Sequence, residues 1–204
     1  MTFRKTALWI LAAGLLIALI LAYPAYKEIR LWRANQMAQQ AEEMLTSPET
    51  LSRAWELAHA ANALNPDDAE IARVLAKVYS ASDPSAAYDF WQHVVELSSG
   101  NPDDQLELAR AYLNAKKWEE FDAEILKQRK AELHPRELDY LETLAAMLQG
   151  KFTDAFRMAT ELVAQEDTPE AADALFFQMT QRSADAATRR AGIDNLWKIA
   201  SGQD

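Results

Sequence analysis

A four-residue phrase, Asn65-Pro66-Asp67-Asp68, recurs as Asn101-Pro102-Asp103-Asp104, and this recurrence limits the possible folds more than any other feature of the chain. Pro135 and Pro169 continue the beat, so the four prolines stand 36, 33 and 34 residues apart. A period of about 34 residues marks a repeat of two antiparallel helices joined by a turn. Such a unit cannot bury its own apolar face and is stable only when neighbours stack against it. Each period closes on an apolar helical run, then a turn holding proline, then acidic residues that suit the positive end of the next helix. Composition agrees where it bears on this. Five glycines and seven prolines in 204 residues leave little turn material for a β sandwich or barrel, and half the residues are hydrophobic, enough for a sizeable core.

A different pattern occupies the N-terminus. Residues 7–23 carry no charged side chain and no polar one except Tyr23. Extended to Tyr26, the run makes about 30 Å of helix, the thickness of a bilayer core. Trp9 stands near one end and Tyr23 and Tyr26 at the other, where interfacial aromatics belong, and Pro24 falls at the exit. A cleaved secretory signal is the competing reading, and a secreted protein would then result. Arg4-Lys5 suits it, but the candidate cleavage positions after Ala22 and Ala25 have Ile20 and Tyr23 two residues earlier, where small residues are wanted. The expectation is an uncleaved single-pass anchor that contacts the lipid bilayer through residues 7–26. Two basic side chains precede the span and Lys27, Arg30 and Arg33 follow it, which leaves orientation nearly balanced. A short basic tail kept in the cytoplasm puts the repeats across the membrane, on the periplasmic side of a bacterial-type inner membrane.

Charge is divided the same way. Residues 1–33 hold five cations against Glu28, a net of +4, so with −10 overall the remainder carries −14. A body so acidic is repelled by phosphate backbones, which argues against nucleic-acid partners. Cysteine is absent, which excludes disulfides, thiolate metal sites and a cysteine nucleophile.

Beyond the anchor, residues 31–45 read as a helix that Thr46-Ser47-Pro48 stops. The next helix, about 49–64, carries Leu51, Ala54, Leu57, Ala58, Ala61 and Leu64 at helical spacing. Leu75-Ala76-x-x-Tyr79 and Leu108-Ala109-x-x-Tyr112 then match the first-helix pattern of the tetratricopeptide repeat, with alanine in place of its glycine. Ala54, Ala58 and Ala61 before Pro66 match its second-helix pattern, and Ala87, Trp91 and Val94 follow it less strictly. Gly150-Lys151-Phe152-Thr153-Asp154-Ala155 is similar to its inter-helix turn, in which the aromatic plugs the junction and the alanine begins close packing. Trp118, Phe121 and Ile125 form a bulkier version. The chain thus resembles the tetratricopeptide-repeat family, and the resemblance implies an all-α fold: a single transmembrane helix followed by a right-handed α solenoid of helix hairpins. The expected divisions are residues 1–33 for tail, anchor and juxtamembrane segment, 34–170 for the repeats, and 171–204 for a degenerate capping repeat. Trp55, Trp91, Trp118 and Trp197 are expected to bury within the array, and Trp32 to lie at headgroup level or on the first hairpin.

Chemistry of a catalytic kind finds little purchase. His59, His93 and His134 lie far apart with no ligand partner at metal spacing, and no glycine-rich phosphate loop exists. The paired carboxylates, such as Asp67-Asp68 and Glu119-Glu120, are neighbours that point in different directions on a helix. The expectation is a protein without enzymatic activity, metal, cofactor or small-molecule substrate. In the family the first helix of each unit lines a concave groove that meets peptide segments of other proteins. Carried over from the Leu-Ala-x-x-Tyr anchors, the groove residues are Glu70, Arg73 and Lys77 in one unit and Leu106, Arg110, Leu113 and Asn114 in the next. Alignment on Leu144-Ala145 adds Asp139, Glu142 and Gln149. Arg73, Lys77 and Arg110 would give a basic spot able to pair with a partner's carboxylates. The resemblance implies a membrane-held adaptor or scaffold; the alternative is a structural or assembly subunit of a larger membrane complex.

Overall fold

The same phrase begins two helices in two different ways. In the computed structural model, Asn65 ends one helix outside the helical region (φ −147°), Pro66 and Asp67 turn the chain, and Asp68 caps the next helix. The Asp68 carboxylate accepts hydrogen bonds from the backbone N–H of Glu70 and Ile71 at 3.0 and 3.2 Å. At the second occurrence Asn101 is itself the cap, accepting from the N–H of Asp103 and Asp104 at 2.9 and 3.3 Å, and Pro102 is the first helical residue. The reason lies just upstream. Ser98, Ser99 and Gly100 already turn the chain, with positive φ at Ser99 and Gly100, so the phrase is free to start the helix at once. Proline at that first position is tolerated because its missing N–H would have had no helical partner.

The structure describes residues 23–24, 26–164, 170–181, 188, 190 and 192–193. Among them every regular element is helical. They are α1 (26–44), a short 3-10 turn at Pro48–Thr50, α2 (Leu51–Leu64), α3 (Ala69–Ser82), α4 (Ala87–Leu97), α5 (Pro102–Asn114), α6 (Trp118–Lys130), α7 (Pro135–Leu148), α8 (Phe152–Val163) and α9 (Glu170–Gln181). The first helices of successive hairpins begin at residues 69, 102, 135 and 170, which is 33, 33 and 35 residues apart. The helices keep better time than the prolines because Pro66 precedes its helix by a turn while Pro102 and Pro135 lie within theirs.

Apart from Tyr23, Pro24 and Tyr26, the span expected at residues 7–26 lies outside the described residues. So do Trp197 and much of the capping repeat. Among the described residues no helix is long and apolar enough to cross a membrane. The boundary expected at residue 33 falls inside α1, which runs through it unbroken.

The chain divides into two units after Gly100. The first is built on alanine: Ala34, Ala38 and Ala41 of α1 and Ala54, Ala58 and Ala61 of α2 are buried with Leu57, Ile71, Val74, Leu75 and Val78. Helices bearing such small side chains approach closely, and α3 packs on both α2 and α4. Trp91 is buried as expected, and its indole Nε1–H donates to Ser80 Oγ at 2.9 Å. Trp55 departs from expectation. It is 41% exposed and lies against the His59 ring, with centroids 4.1 Å apart.

In the second unit bulkier side chains do the filling: Leu106, Leu113, Phe121, Ile125, Leu138 and Leu141 form one cluster, with Trp118 against it. Trp118 thus sits at the helix junction as expected. Its counterpart Phe152 does not, being 59% exposed, although Ala155 beyond it is fully buried and begins the packing of α8. The second unit also buries polar groups. Gln128 is wholly enclosed, and its Nε2 donates to the Gln105 carbonyl at 2.9 Å and to Glu124 Oε1 at 3.2 Å.

Candidate protein-binding surface

On α3 the residues expected to face a groove share one side of the helix, since positions 70, 73 and 77 are three and four apart. Glu70 is exposed and its Oε1 lies 2.6 Å from Arg73 Nη1. Lys77 Nζ reaches Glu42 Oε1 on α1 at 2.5 Å. Arg73 and Lys77, the two cations of the expected basic spot that lie in this unit, are therefore already paired within it, and the pairing includes a residue, Glu42, that the repeat pattern did not point to.

The second unit repeats this on its own first helices. Arg110 Nη1 lies 2.8 Å from Glu107 Oε1, and Asn114, the last residue of α5, is exposed. Asp139 and Glu142, three apart on α7, both accept from Arg129 Nη2 of α6; the Asp139 contact is 2.5 Å. The Glu142 carboxylate, and after it Asp139, hold the Arg129 guanidinium above its ordinary value against the opposing effect of partial burial. Gln149 caps the C-terminal end of α7, where its N–H donates to the Ala145 carbonyl.

Two of the expected residues are not at a surface. Leu106 is 7% exposed and Leu113 1%. They lie seven apart on α5 and, with Ala109, pack against Phe121, Ile125, Leu138 and Leu141. Because α7 packs on α5, the face that carries Arg73 on α3 carries a core leucine on α5. Leu106 and Leu113 hold the second unit together and are withdrawn from the binding surface.

Arg129 and Glu42 are the residues that sequence reasoning missed. Arg129 had a weak signal: α6 ends in Lys127, Arg129 and Lys130, cations that suit the negative end of a helix, and two carboxylates follow on the next helix. Nothing in the repeat pattern pairs Glu42 with Lys77. None of these ion pairs is buried, and exposed pairs of this kind contribute roughly 0–1 kcal/mol each. The faces of α3, α5 and α7 can therefore exchange an internal carboxylate for a partner's, or an internal cation for a partner's, at small cost. Among the described residues no group of three or more histidine, aspartate or glutamate side chains is placed to hold a metal ion.

This chain is all-α, built of helix hairpins in a tetratricopeptide-like fold. A solved structure of a mutant of MamA, a tetratricopeptide-like protein, is similar to it with a TM-score of 0.54 at 12% sequence identity, over 86% of this chain and 95% of that one. At that identity the likeness speaks for the fold alone. No protein-family model matches the sequence, and no match is found among curated proteins.

Proposed function

We propose that the chain is a non-enzymatic adaptor, anchored in a membrane by residues 7–26, that holds partner proteins on the first-helix faces of a right-handed tetratricopeptide-like solenoid. The observation that carries this reading is the state of those faces. Glu70, Arg73 and Lys77 in one unit, and Arg110, Asn114, Asp139 and Glu142 in the other, lie outside the cores, where the charged ones form ion pairs that are partly or fully exposed and Asn114 is open to solvent. Such a face recognises acidic and basic side chains of an extended or helical segment by exchange of partners rather than by burying a large apolar patch. Anchoring compensates for weak contacts by raising the effective concentration toward partners on the same membrane. The apolar run with Trp9, Tyr23 and Tyr26 at its ends supports the anchor, and the short basic tail favours repeats on the periplasmic side of a bacterial-type inner membrane.

Photo-crosslinking in intact cells tests the adaptor directly. A crosslinker at Glu70 or Asn114 should capture discrete proteins that one at Arg157 or Glu56, away from these faces, does not. Equal capture from all four positions removes the proposed surface. Because the chain has no cysteine, single cysteines placed in the tail and in α2 report the side of the membrane by labelling with an impermeant reagent. A stoichiometric complex in mild detergent, in place of varied and transient partners, would favour the structural-subunit reading.

A further inference from the structure

The first unit has a cleft of about 210 Å³ lined by Ala72 and Leu75 of α3, Asn62 of α2, and Asp89, Phe90 and His93 of α4. It does not belong to the face discussed above. At about 100° per residue, positions 72 and 75 lie on the opposite side of α3 from positions 70, 73 and 77. The lining is mostly apolar, and its aromatic member is fixed: Phe90 stacks on Tyr79 with ring centroids 3.8 Å apart. Two acceptors stand around it without intramolecular partners. Asn62 Oδ1 is buried and has no hydrogen bond, and the carboxylate of Asp89, an exposed residue, makes neither a hydrogen bond nor an ion pair.

An unsatisfied buried acceptor is costly, and a ligand that donates to it recovers that cost. Charge narrows the ligand further. Residues 34–100 hold ten carboxylates against Arg53, Arg73 and Lys77, and each of those cations is already in an ion pair. The occupant is therefore a cation with several N–H donors and an apolar stem, and the volume admits one long side chain rather than a folded segment.

We propose that this cleft is a second recognition site, which takes the side chain of an arginine from a partner protein. The stem lies over Ala72 and Leu75, the guanidinium plane meets the Phe90 ring, and its N–H groups donate to Asp89 and Asn62 Oδ1. Arginine fits better than lysine because its planar fork can serve two acceptors and a ring together, while an ammonium is a more strongly hydrated point charge. A partner held on the first-helix faces would leave this site open, so the chain can engage two protein segments at once.

The test uses the full chain in zwitterionic detergent micelles, labelled for NMR and titrated with the capped tripeptide Ala-Arg-Ala. Saturable shifts are expected at Asn62, Asp89, Phe90 and His93, and the same peptide with neutral citrulline in place of arginine should bind about tenfold more weakly or worse, a loss of about 1.4 kcal/mol. Asp89→Asn should weaken arginine binding to a similar degree, with helicity by circular dichroism confirming that the variant is folded, whereas Glu56→Gln, exposed and outside both the cleft lining and the first-helix faces, should leave arginine binding unchanged. Equal binding of arginine and citrulline peptides overturns the proposal, and that comparison needs no variant. Tight binding to Asp89→Asn, shifts confined to Glu70 and Lys77, or a lysine peptide that binds as well as arginine would also overturn it.

Discussion

In the first unit α2 and α3 end at Asn65 and Asp83, each with φ near −145° and each followed by proline, Pro66 and Pro84. In the second unit α5, α6 and α7 end through left-handed residues at Lys116, Glu132 and Gly150. The residue after each of these donates its N–H to a carbonyl five residues back: Lys117 to Tyr112, Leu133 to Gln128 and Lys151 to Ala146. That is the Schellman closure, in which a left-handed residue satisfies the last carbonyls of a helix. α4, the last helix of the first unit, also uses it, through Ser99. The two devices do the same work by different means. Proline pushes its predecessor out of the helical region by steric clash, so that exit is written in the sequence. The left-handed exit is written there only when the residue is glycine, as at Gly150. Lys116 and Glu132 adopt it at a cost of about 1–2 kcal/mol, met by the hydrogen bonds the closure makes.

The cores differ in the same spirit. The first unit is an alanine seam that leaves no room to grow, and the second is a leucine and phenylalanine core that leaves a large hole when trimmed. Phe121→Ala should therefore have the largest effect, a loss of about 3–5 kcal/mol in chemical denaturation. Hydrogen exchange should rise most among residues 102–148. An equal rise across α2 and α3 would break the division into two separately organised cores. The matching change in the first unit is an enlargement. Ala58→Leu should cost about 1–3 kcal/mol, because Ala58 is fully buried where α2 meets its neighbours. A neutral result would show that the seam is looser than its alanines imply.

The twin phrases give a sharper and smaller contrast. Asn101→Ala and Asp68→Ala should each cost about 1 kcal/mol, since each removes a helix cap. Asn65, at the place equivalent to Asn101, accepts from no N–H of the following helix and only donates from Nδ2 to the Asp68 carboxylate at 3.1 Å, so Asn65→Ala should cost clearly less than Asn101→Ala. Equal costs for the two asparagines would mean that the phrase starts both helices in one register.

Much of this was legible in advance, and the failures have physical reasons. The period, the hairpins and the alanine face of α2 follow from spacing, and the burial of Trp91 and Ala155 from the resemblance to the repeat family. What spacing cannot give is which side of a helix its neighbours cover. The Leu-Ala-x-x-Tyr anchors set the rotation of α3 and α5 alike, yet Arg73 and Leu106, each two residues before its anchor leucine, fare differently because α7 lies on α5. Trp55 and Phe152 went astray similarly: each stands near a helix start, where a single turn of drift separates a plug from a solvated ring. The partners of Lys77 and Asp139 were illegible because Glu42 and Arg129 come from other helices. The cleft beside Asn62 was invisible to the repeat pattern because three helices contribute to it.

Left-handed exits offer a stabilising test. Lys116→Gly should raise stability by about 0.5–1 kcal/mol, since glycine adopts positive φ without the side-chain clash. At Gly150 the reverse change to alanine should destabilise even though a methyl group there meets nothing within 4 Å, because the strain is in the backbone and not in crowding. If Gly150→Ala proves neutral, the left-handed residue does not limit that turn.

The least effect concerns acid. His59 hydrogen bonds with the Tyr79 hydroxyl at 3.1 Å, and its edge-to-face contact with the Tyr79 ring places it in the aromatic run from Trp55 to Phe90. Burial pushes its pKa below the ordinary 6.5. The unfolded chain therefore takes up a proton as pH falls through about 6.5, while the folded chain resists until lower pH. Within that interval the unfolded state binds more protons, so stability declines as pH drops and is recovered above 6.5. Comparing wild type with His59→Gln at pH 7.5 and about pH 5.5 isolates the effect, because carboxylates and the other histidines are common to both. Wild type should lose more stability on acidification than the variant. Parallel losses would mean that the His59 ring is no more sheltered folded than unfolded, and that the aromatic run of the first unit is open to water along its length.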